Sequence, residues 1–339
     1  MQELIDWFQS LEPLPWQNDR DPYKVYILEI MSQQTTLSVM MKRYPSWIST
    51  FPSIDSIAAA SEEDVLLAWE GLGYYQRARN IYTIAKFIKE HGFPEPNLSS
   101  WLQLPGVGRY TAAAILSRAY NKPYLAVDVN VKRIIMRIFG VSSYDQGLEE
   151  KFIALLGKNL FDKYSSDMNQ GLIRLGQSLC KKKEIICKEC PLMKICKSAG
   201  NISCLNVSTK KTIERRDKYL VIISFNEYIY IEKIESGVGK NMYRLPLVDY
   251  ELWQTFLLEP GASLLSKRKH SYTKYCDYLY PLYIEIKEME LLQRFDNITK
   301  HLIACNKKKL HERPFLSSYR IIIDELLGGG GKDLFLEDQ

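Results

Sequence analysis

The stretch Leu104-Pro105-Gly106-Val107-Gly108 comes directly before an alanine-rich segment, residues 111–120, whose composition and spacing predict a compact helix. Its two glycines let the backbone turn tightly and expose successive N–H groups at the start of that helix. Amides at a helix start, helped by the helix dipole, can bind one phosphate group. The same pattern also occurs as an ordinary turn between helices, so its meaning depends on the surrounding sequence.

On either side of this turn, about the first 200 residues have the apolar periodicity of helices. From Asp217 the sequence changes: residues 219–223 and 228–231 are aromatic and β-branched, and the polar pair Asn226-Glu227 separates them, which predicts a hairpin of strands. Residues 278–286 predict another strand and residues 319–327 a late helix. We therefore predict a multi-domain α plus α/β protein, with a helical domain at 1–200, a linker at 201–216, an α/β domain at 217–327 and a disordered tail at 328–339.

The composition is that of an ordinary globular protein, with 46% hydrophobic and 25% charged residues in 339. The first residues do not read as a secretory signal, and no apolar run approaches the roughly 20 residues needed to cross a bilayer. We therefore expect a soluble, intracellular protein without a membrane partner. The net charge of +5 is modest and by itself does not indicate a polyanionic ligand.

Four cysteines, Cys180, Cys187, Cys190 and Cys196, are separated by six, two and five residues. In a reducing compartment such a cluster indicates metal ligands rather than disulfides. Four thiolates suit either tetrahedral zinc or a [4Fe–4S] cluster. Zinc ribbons usually have two well-separated CxxC pairs, whereas here there is one, so the spacing favours iron–sulfur while zinc stays open. Lysines crowd the same loop, which adds a basic surface.

Together the glycine turn and the cysteine spacing resemble the helix-hairpin-helix, endonuclease III-like DNA glycosylase superfamily. In that superfamily an LPGVG hairpin precedes a catalytic aspartate, and a C-x6-C-x2-C-x5-C loop holds a [4Fe–4S] cluster. The similarity covers about residues 14–197 and is greatest for the adenine DNA glycosylases of the MutY type. The blocks that carry it are Pro15-Trp16, Asp21-Pro22-Tyr23-Lys24-Val25, Glu29-Ile30-Met31-Ser32-Gln33-Gln34-Thr35, Gly71-Leu72-Gly73-Tyr74-Tyr75 and Val127-Asp128-Val129-Asn130-Val131-Lys132-Arg133.

The resemblance implies a base-flipping enzyme that excises adenine with two carboxyl groups. Glu29 is then the acid that protonates the adenine ring and afterwards activates water. Asp128 stays ionised and stabilises, or transiently bonds, the anomeric carbon of the sugar, while Asn130 and Tyr110 orient these groups. An acid that works at neutral pH needs a raised pKa, so we expect Glu29 in an apolar pocket. From the residues alone, Glu29 is equally a buried structural acid and Asp128 an ordinary helix cap.

Position 110 separates two catalytic types within the superfamily. Relatives that also cut the DNA strand carry a lysine there, whose amine forms a Schiff base with the sugar. Tyr110 cannot form an imine, so the resemblance implies a monofunctional glycosylase.

The implied partner is double-stranded DNA with adenine opposite 8-oxoguanine or guanine, bound by a monomer in the bacterial cytoplasm, at the nucleoid. Gln34 and Tyr74 match positions that the family inserts into the base stack. The remaining implied contacts to the DNA backbone come from Gly106, Gly108, Lys132 and Arg133.

The second domain resembles the family's Nudix-like domain, which reads 8-oxoguanine. Residues 243–247 match its strand–turn signature, and Tyr272 and Thr273 lie where the family contacts the oxidised base. Lys274 replaces a usual histidine, and Arg174 stands where an acidic residue is usual beside the adenine pocket, so the preference for oxidised guanine stays open. Alternatives are a β-domain that only adds DNA-binding area, a mismatch thymine glycosylase of the same superfamily, and a non-catalytic lesion-binding protein.

Overall fold

The computed structural model describes residues 1–200, 213–272, 275–288 and 301–328, together with residues 292, 295 and 299; the side chain of Tyr272 is not described. Two compact units are formed, one by residues 1–56 and 83–208 and the other by residues 57–82 and 209–339. Most of the predicted linker and nearly all of the predicted tail lie outside the described residues. Within the described part of the chain, no helix is both long and apolar enough to cross a membrane.

The first 200 residues are helical, as the sequence predicts. The helices are α1 (Gln2–Ser10), α2 (Pro22–Ser32), α3 (Leu37–Thr50), α4 (Ile54–Ala59), α5 (Glu62–Ala68), α6 (Gln76–His91), α7 (Leu98–Trp101), α8 (Arg109–Tyr120), α9 (Val129–Phe139), α10 (Gln146–Leu156) and α11 (Lys158–Ser178). Short 3-10 turns at Cys187–Glu189 and Met193–Ile195 shape the loop that follows. Of these helices α5 belongs to the second unit, and α4 and α6 cross the boundary.

The core of the first unit is built around α9, whose buried residues recur at helical spacing. Val131, Ile134 and Ile138 pack in one cluster with residues of α1, α10 and α11. Asn169 on α11 fixes the extended segment that leads into α9: its side chain accepts from Ala126 N at 2.8 Å and donates to Tyr124 O at 2.9 Å. The apolar cluster and the hydrogen bonds of Asn169 therefore both hold the start of α9 in place.

The second unit contains a mixed eight-stranded sheet and its covering helices. Its strands are β1 (Glu214–Phe225), β2 (Tyr228–Lys233), β3 (Tyr243–Arg244), β4 (Leu247–Val248), β5 (Ala262–Leu264), β6 (Arg268–Tyr272), β7 (Tyr275–Ile286) and β8 (Ile303–Asn306), and its later helices are α12 (Tyr250–Leu257) and α13 (Ser317–Leu326). The sheet has the order β3-β2-β1-β7-β5, with β4, β6 and β8 pairing to β1, β7 and β2. Strands β1 and β7 pair in parallel, while the other pairs are antiparallel.

Alternation along β1 gives the sheet two buried faces. Leu220 and Ile222 pack with the apolar side of α13, whereas Val221 and Ile223 pack with that of α12. The predicted β1–β2 hairpin is confirmed, with its turn at Asn226 in the left-handed region, φ 51°. The resulting α/β layers match the predicted class of this region.

Residues 57–82, which precede the sheet by more than a hundred positions, pack within the second unit. The carboxylate of Glu70 accepts from Phe315 N at 2.8 Å and from Arg320 Nε at 2.9 Å, and Arg313 pairs with Glu63 at 2.7 Å. The predicted domain boundaries follow the change from helices to strands along the sequence. These contacts, in contrast, join an early helical segment to the later sheet.

Candidate active site

A cavity of about 830 Å³ lies in the first unit, where α2, α8 and the start of α9 meet. All four side chains that the sequence proposes for chemistry line it: Glu29, Tyr110, Asp128 and Asn130. Its volume is in the range of pockets that hold small organic ligands. The structure therefore brings together groups from three parts of the chain around one space.

Glu29 occupies the buried side of α2, which begins at the Asp21 cap and Pro22. Its side chain is 8% exposed, and its neighbours Leu28 and Ile30 are buried as well. Burial raises the pKa of Glu29 and the Asp128 charge adds to the rise, while Arg118 and the Tyr110 hydrogen bond oppose it. Glu29 is therefore buried, although charged and polar side chains face its carboxyl group, and it keeps its proton to a higher pH than an exposed glutamate.

Tyr110 stands in the first turn of α8 and donates its hydroxyl to Oε2 of Glu29 at 3.4 Å. Burial, with the nearby Glu29 and Asp128, raises the pKa of Tyr110 well above its ordinary value. The phenol therefore stays protonated across the physiological range and acts as a hydrogen-bond donor toward Glu29.

Asp128 is the N-cap of α9, so the structural role that its position suggests is confirmed. Oδ1 accepts from the backbone N–H groups of Asn130 and Val131, at 2.8 and 2.7 Å, and Oδ2 accepts from Asn130 Nδ2 at 2.7 Å. These donors and the positive end of the helix dipole stabilise a negative charge at the cavity wall. Val129, the next residue, has no positive φ and begins the helix.

Arg133 connects the start of α9 to the loop of cysteines. Its guanidinium donates to Asn130 Oδ1 at 2.9 Å, to Gly176 O at 2.8 Å and to Cys180 O at 3.0 Å. A Cβ on Gly176 would come within 2.6 Å of Asn130 Cβ, so glycine allows α11 to approach this closely. The sequence suggests Arg133 as a phosphate contact; here it supports Asn130, and a contact to DNA stays a prediction.

Sequence reasoning missed Arg118, a buried guanidinium on α8 that also lines the cavity. Its Nη1 lies 3.8 Å from Oε1 of Glu29. An arginine in an alanine-rich helix is a signal that could have been noticed, because burial of such a helix requires a partner for the charge.

The hairpin turn, residues 104–108, has the backbone that its glycines allow. Gly106 has φ 78°, in the left-handed region, and Gly108 is the N-cap of α8 without a side-chain cap. Both glycines line the cavity, as does Lys132, whose Nζ lies 4.7 Å from the ring centre of Tyr144. The first amides of α8 therefore have no side-chain cap, and their contact with a phosphate stays a prediction.

Gln34 and Tyr74, each in its own unit, have positive φ angles of 57° and 47°. The other residues with positive φ in the described chain are glycines and asparagines, which tolerate this region better. Gln34 is exposed, and Tyr74 is 48% exposed. Strain of this kind persists where the surroundings impose it, and it is often associated with function.

The turn that presents Tyr74 is held by Arg77 and Trp69. Nη2 of Arg77 donates to Leu72 O at 2.7 Å and to Gly73 O at 3.2 Å, and Trp69 Nε1 donates to Gly73 O at 3.0 Å. Arg77 is buried and lies over the rings of Trp69 and Tyr74. The role of Arg77 in the structure is to support this turn.

The cysteine loop, residues 180–196, brings its four thiols together. Burial raises the pKa of Cys190 to about 11, and Cys180, Cys196 and Cys187 add to the rise because they lie close by. Yet no group of three or more His, Cys, Asp and Glu side chains in the described residues is spaced for a single metal ion. The role of the four cysteines as ligands of a [4Fe–4S] cluster, which four thiolates suit, stays a prediction.

The positive charge near the cysteine loop also suits an iron–sulfur cluster. Buried Arg137 donates to Cys180 Sγ at 3.1 Å, and the loop is rich in lysines along its sequence. Four thiolates carry a net negative charge even with iron bound, so a nearby guanidinium stabilises them.

Replacing Cys187 by serine is expected to remove iron and visible colour from the purified protein. Anaerobically purified wild type should hold about four iron atoms per chain, measured by elemental analysis together with the absorption spectrum. Cys276, a buried cysteine of β7, provides the control, since Cys276→Ser should leave iron content unchanged. A colourless wild type loaded with zinc would contradict the prediction.

Of the residues predicted to read the opposite base, the structure places only Tyr272, at the end of β6. Tyr272 pairs with Tyr275 across the β6–β7 turn, and its side chain is not described. Thr273 and Lys274 lie outside the described residues. Their role in recognition stays a prediction.

Comparison with known proteins adds an independent line of information. The family model described as HhH-GPD superfamily base excision DNA repair protein matches residues 27–157. The adenine DNA glycosylase of Buchnera aphidicola subsp. Schizaphis graminum is 31% identical, covering 92% of this chain and 94% of that protein. Its counterpart in Buchnera aphidicola subsp. Baizongia pistaciae is 30% identical, covering 86% and 87%. A thermostable thymine-DNA glycosylase structure covers 58% of this chain and 93% of its own, with 26% identity and a TM-score of 0.49.

Proposed function

Because the chain belongs to the adenine DNA glycosylases of the HhH-GPD superfamily, which remove adenine from DNA in base excision repair, we propose that its substrate is adenine opposite 8-oxoguanine or guanine. The observation that carries this proposal is the single cavity lined by a buried Glu29 and by Asp128. A target base inside a duplex is out of reach of both groups, so the adenine must flip into the cavity first.

Glu29 supplies the proton that makes adenine a good leaving group. Adenine departs poorly as an anion, and protonation of a ring nitrogen lets it leave neutral. The raised pKa of Glu29 keeps this acid protonated for the step, while Tyr110 orients its carboxyl group. After departure the same carboxylate accepts a proton from the attacking water.

Asp128 stabilises the positive charge that develops on the sugar as the base leaves. Its carboxylate is fixed by three N–H donors, so it does not need to reorganise during the reaction. Tyr110, at the position where lysine would serve as an amine nucleophile, offers a phenol that stays protonated. The proposed enzyme therefore leaves an abasic site and an uncut strand.

DNA is positioned by backbone amides and by side chains other than the catalytic ones. The hairpin turn and Lys132 suit the phosphate backbone, and the strained, exposed Gln34 and Tyr74 suit insertion into the base stack. We propose that Cys180, Cys187, Cys190 and Cys196 hold a [4Fe–4S] cluster. When bound, the cluster supplies structural cross-linking of the loop rather than bond chemistry.

The second unit is proposed as a Nudix-like domain that reads the base opposite adenine. Its mixed sheet with a helix against each face supports this assignment, as does the position of Tyr272 at the end of β6. In this chain Lys274 and Arg174 carry positive charge where the family has other groups, so the preference for 8-oxoguanine over guanine has to be measured.

A panel of duplexes tests the function. Single-turnover release of base from A opposite 8-oxoguanine and A opposite G should be readily measurable, and T opposite G should give none. Strand cleavage should appear only after alkali treatment, because Tyr110 forms no imine. Thymine release, or strand cleavage without alkali, would instead support a thymine glycosylase or an amine nucleophile.

A further inference from the structure

Arg118 and Tyr110 lie on one face of α8, two helical turns apart, and both reach Glu29. Nη1 of Arg118 lies 3.8 Å from Oε1 of Glu29, while the Tyr110 hydroxyl donates to Oε2. Nη2 of Arg118 donates to the carbonyl oxygen of Trp16. The arginine side chain is only 5% exposed, so these protein groups, rather than solvent, determine its position.

We propose that Arg118 is a positioning residue that holds Glu29 in the cavity through one carboxyl oxygen while Tyr110 holds the other. This inference rests on the proposed function for its consequence in catalysis. Two side chains of α8 thus hold the carboxyl group of Glu29, and the Trp16 carbonyl keeps the guanidinium in place.

A guanidinium suits this arrangement better than an ammonium. Its planar fork directs Nη2 to Trp16 O while Nη1 lies 3.8 Å from Glu29, an arrangement that a single lysine nitrogen on a flexible chain cannot reproduce. When Glu29 is ionised both charges of the pair are buried, so removing the arginine leaves the carboxylate without compensation. Glu29 responds to the loss of Arg118 by binding a proton more tightly.

The charged and titratable groups around the pair determine the direction of the pH effect. Arg118 and Tyr110 from α8, and Asp128 from the start of α9, face Glu29; Arg20, Tyr44 and Asp19 influence Arg118. Burial, most strongly, and Asp128 raise the pKa of Glu29, and Arg118 is the larger of the two opposing influences. An acid is active below its pKa, so adenine release should decline as pH rises through the pKa of Glu29.

Removal of Arg118 is therefore expected to change the pH–rate profile in two ways. The alkaline limb of the pH–rate profile should move to higher pH, because Glu29 retains its proton longer. The plateau rate at lower pH should fall by about 10- to 100-fold, because a misplaced acid transfers its proton less efficiently. A loss of folded protein would lower the rate at every pH without moving the limb.

The test compares Arg118→Met and Arg118→Lys with wild type in single-turnover pH profiles on duplex with A opposite 8-oxoguanine. Arg118→Lys should keep the limb near its wild-type position, since the charge remains, while still lowering the plateau. Arg320→Met is the matched control: it removes an equally buried guanidinium from its ion pair with Glu70, in the second unit, and should leave the limb in place. If Arg118→Met does not fold, as judged by circular dichroism, Arg118→Gln replaces it.

A direct titration of the carboxyl group separates this proposal from the proposed function. The infrared carboxyl band of Glu29, identified by its absence in Glu29→Gln, should titrate at higher pH in Arg118→Met than in wild type. An unchanged titration and an unmoved limb would overturn the role of Arg118 while leaving the function intact. Failure of wild type to release adenine from either adenine mispair would overturn the function, and the carboxyl titration would still decide the role of Arg118.

Discussion

Asp128→Asn is expected to lower the single-turnover rate of adenine release by about a thousandfold while the protein stays folded and bound to DNA. The substitution removes the negative charge that faces the developing sugar cation. Asparagine is as good an N-cap as aspartate, and its Oδ1 can accept from the same backbone groups of Asn130 and Val131. The loss of rate therefore reports the charge, together with the contact from Asn130 Nδ2 that it accepts, rather than helix stability.

Asp145 provides the matched control for this substitution. It is the N-cap of α10 and accepts from Leu148 N at 2.7 Å, but it does not line the cavity. Asp145→Asn makes the same chemical change at a helix start and should leave the rate within about twofold, with a change in stability of at most about 1 kcal/mol. Full activity in Asp128→Asn would show that the cap, and not its charge, explains why aspartate stands there.

Glu29→Gln is expected to lower the rate of adenine release by about 10²- to 10⁴-fold, the range that general acid catalysis contributes. Glutamine fills the same space and cannot donate a proton to the ring nitrogen. The residual rate should also lose the alkaline limb, because the group whose raised pKa causes that limb is gone. Affinity for the substrate duplex, measured by fluorescence anisotropy, should stay within about threefold of wild type.

Glu149 allows a strict comparison because its surroundings resemble those of Glu29. It is 9% exposed, pairs with Arg109 at 3.0 Å and accepts from the Tyr144 hydroxyl at 2.7 Å. Glu149→Gln therefore breaks a partly buried acid–arginine–tyrosine arrangement away from the cavity. Equal losses of rate in Glu29→Gln and Glu149→Gln would point to a structural role for both acids.

The parts of the fold that could be predicted from sequence are those that depend on local patterns. The hairpin turn, the alanine-rich helix after it and the β1–β2 hairpin are each determined by residues within one short segment. The expectation that Glu29 is buried likewise came from its apolar neighbours. These signals are local because periodicity and turn chemistry act over a few residues.

Contacts between distant segments could not be predicted in the same way. Arg118 meets Glu29, and Gly176 meets Asn130, because α2, α9 and α11 pack around α8 and the cavity, which no local pattern encodes. The joining of residues 57–82 to the sheet rests on pairs such as Glu70 with Arg320, whose partners are 250 positions apart. The positive φ angles of Gln34 and Tyr74 were also unexpected, since neither residue type favours that region.

The most direct measurement is the amount of free adenine released, by chromatography with mass detection, from a duplex with A opposite 8-oxoguanine. Wild type and the double variant Glu29→Gln/Asp128→Asn are compared under single-turnover conditions, with binding to the duplex measured in parallel. We predict stoichiometric adenine from wild type, and none above background from a variant that still binds. Comparable adenine release from both proteins would contradict the assignment of the chemistry to these two carboxyl groups.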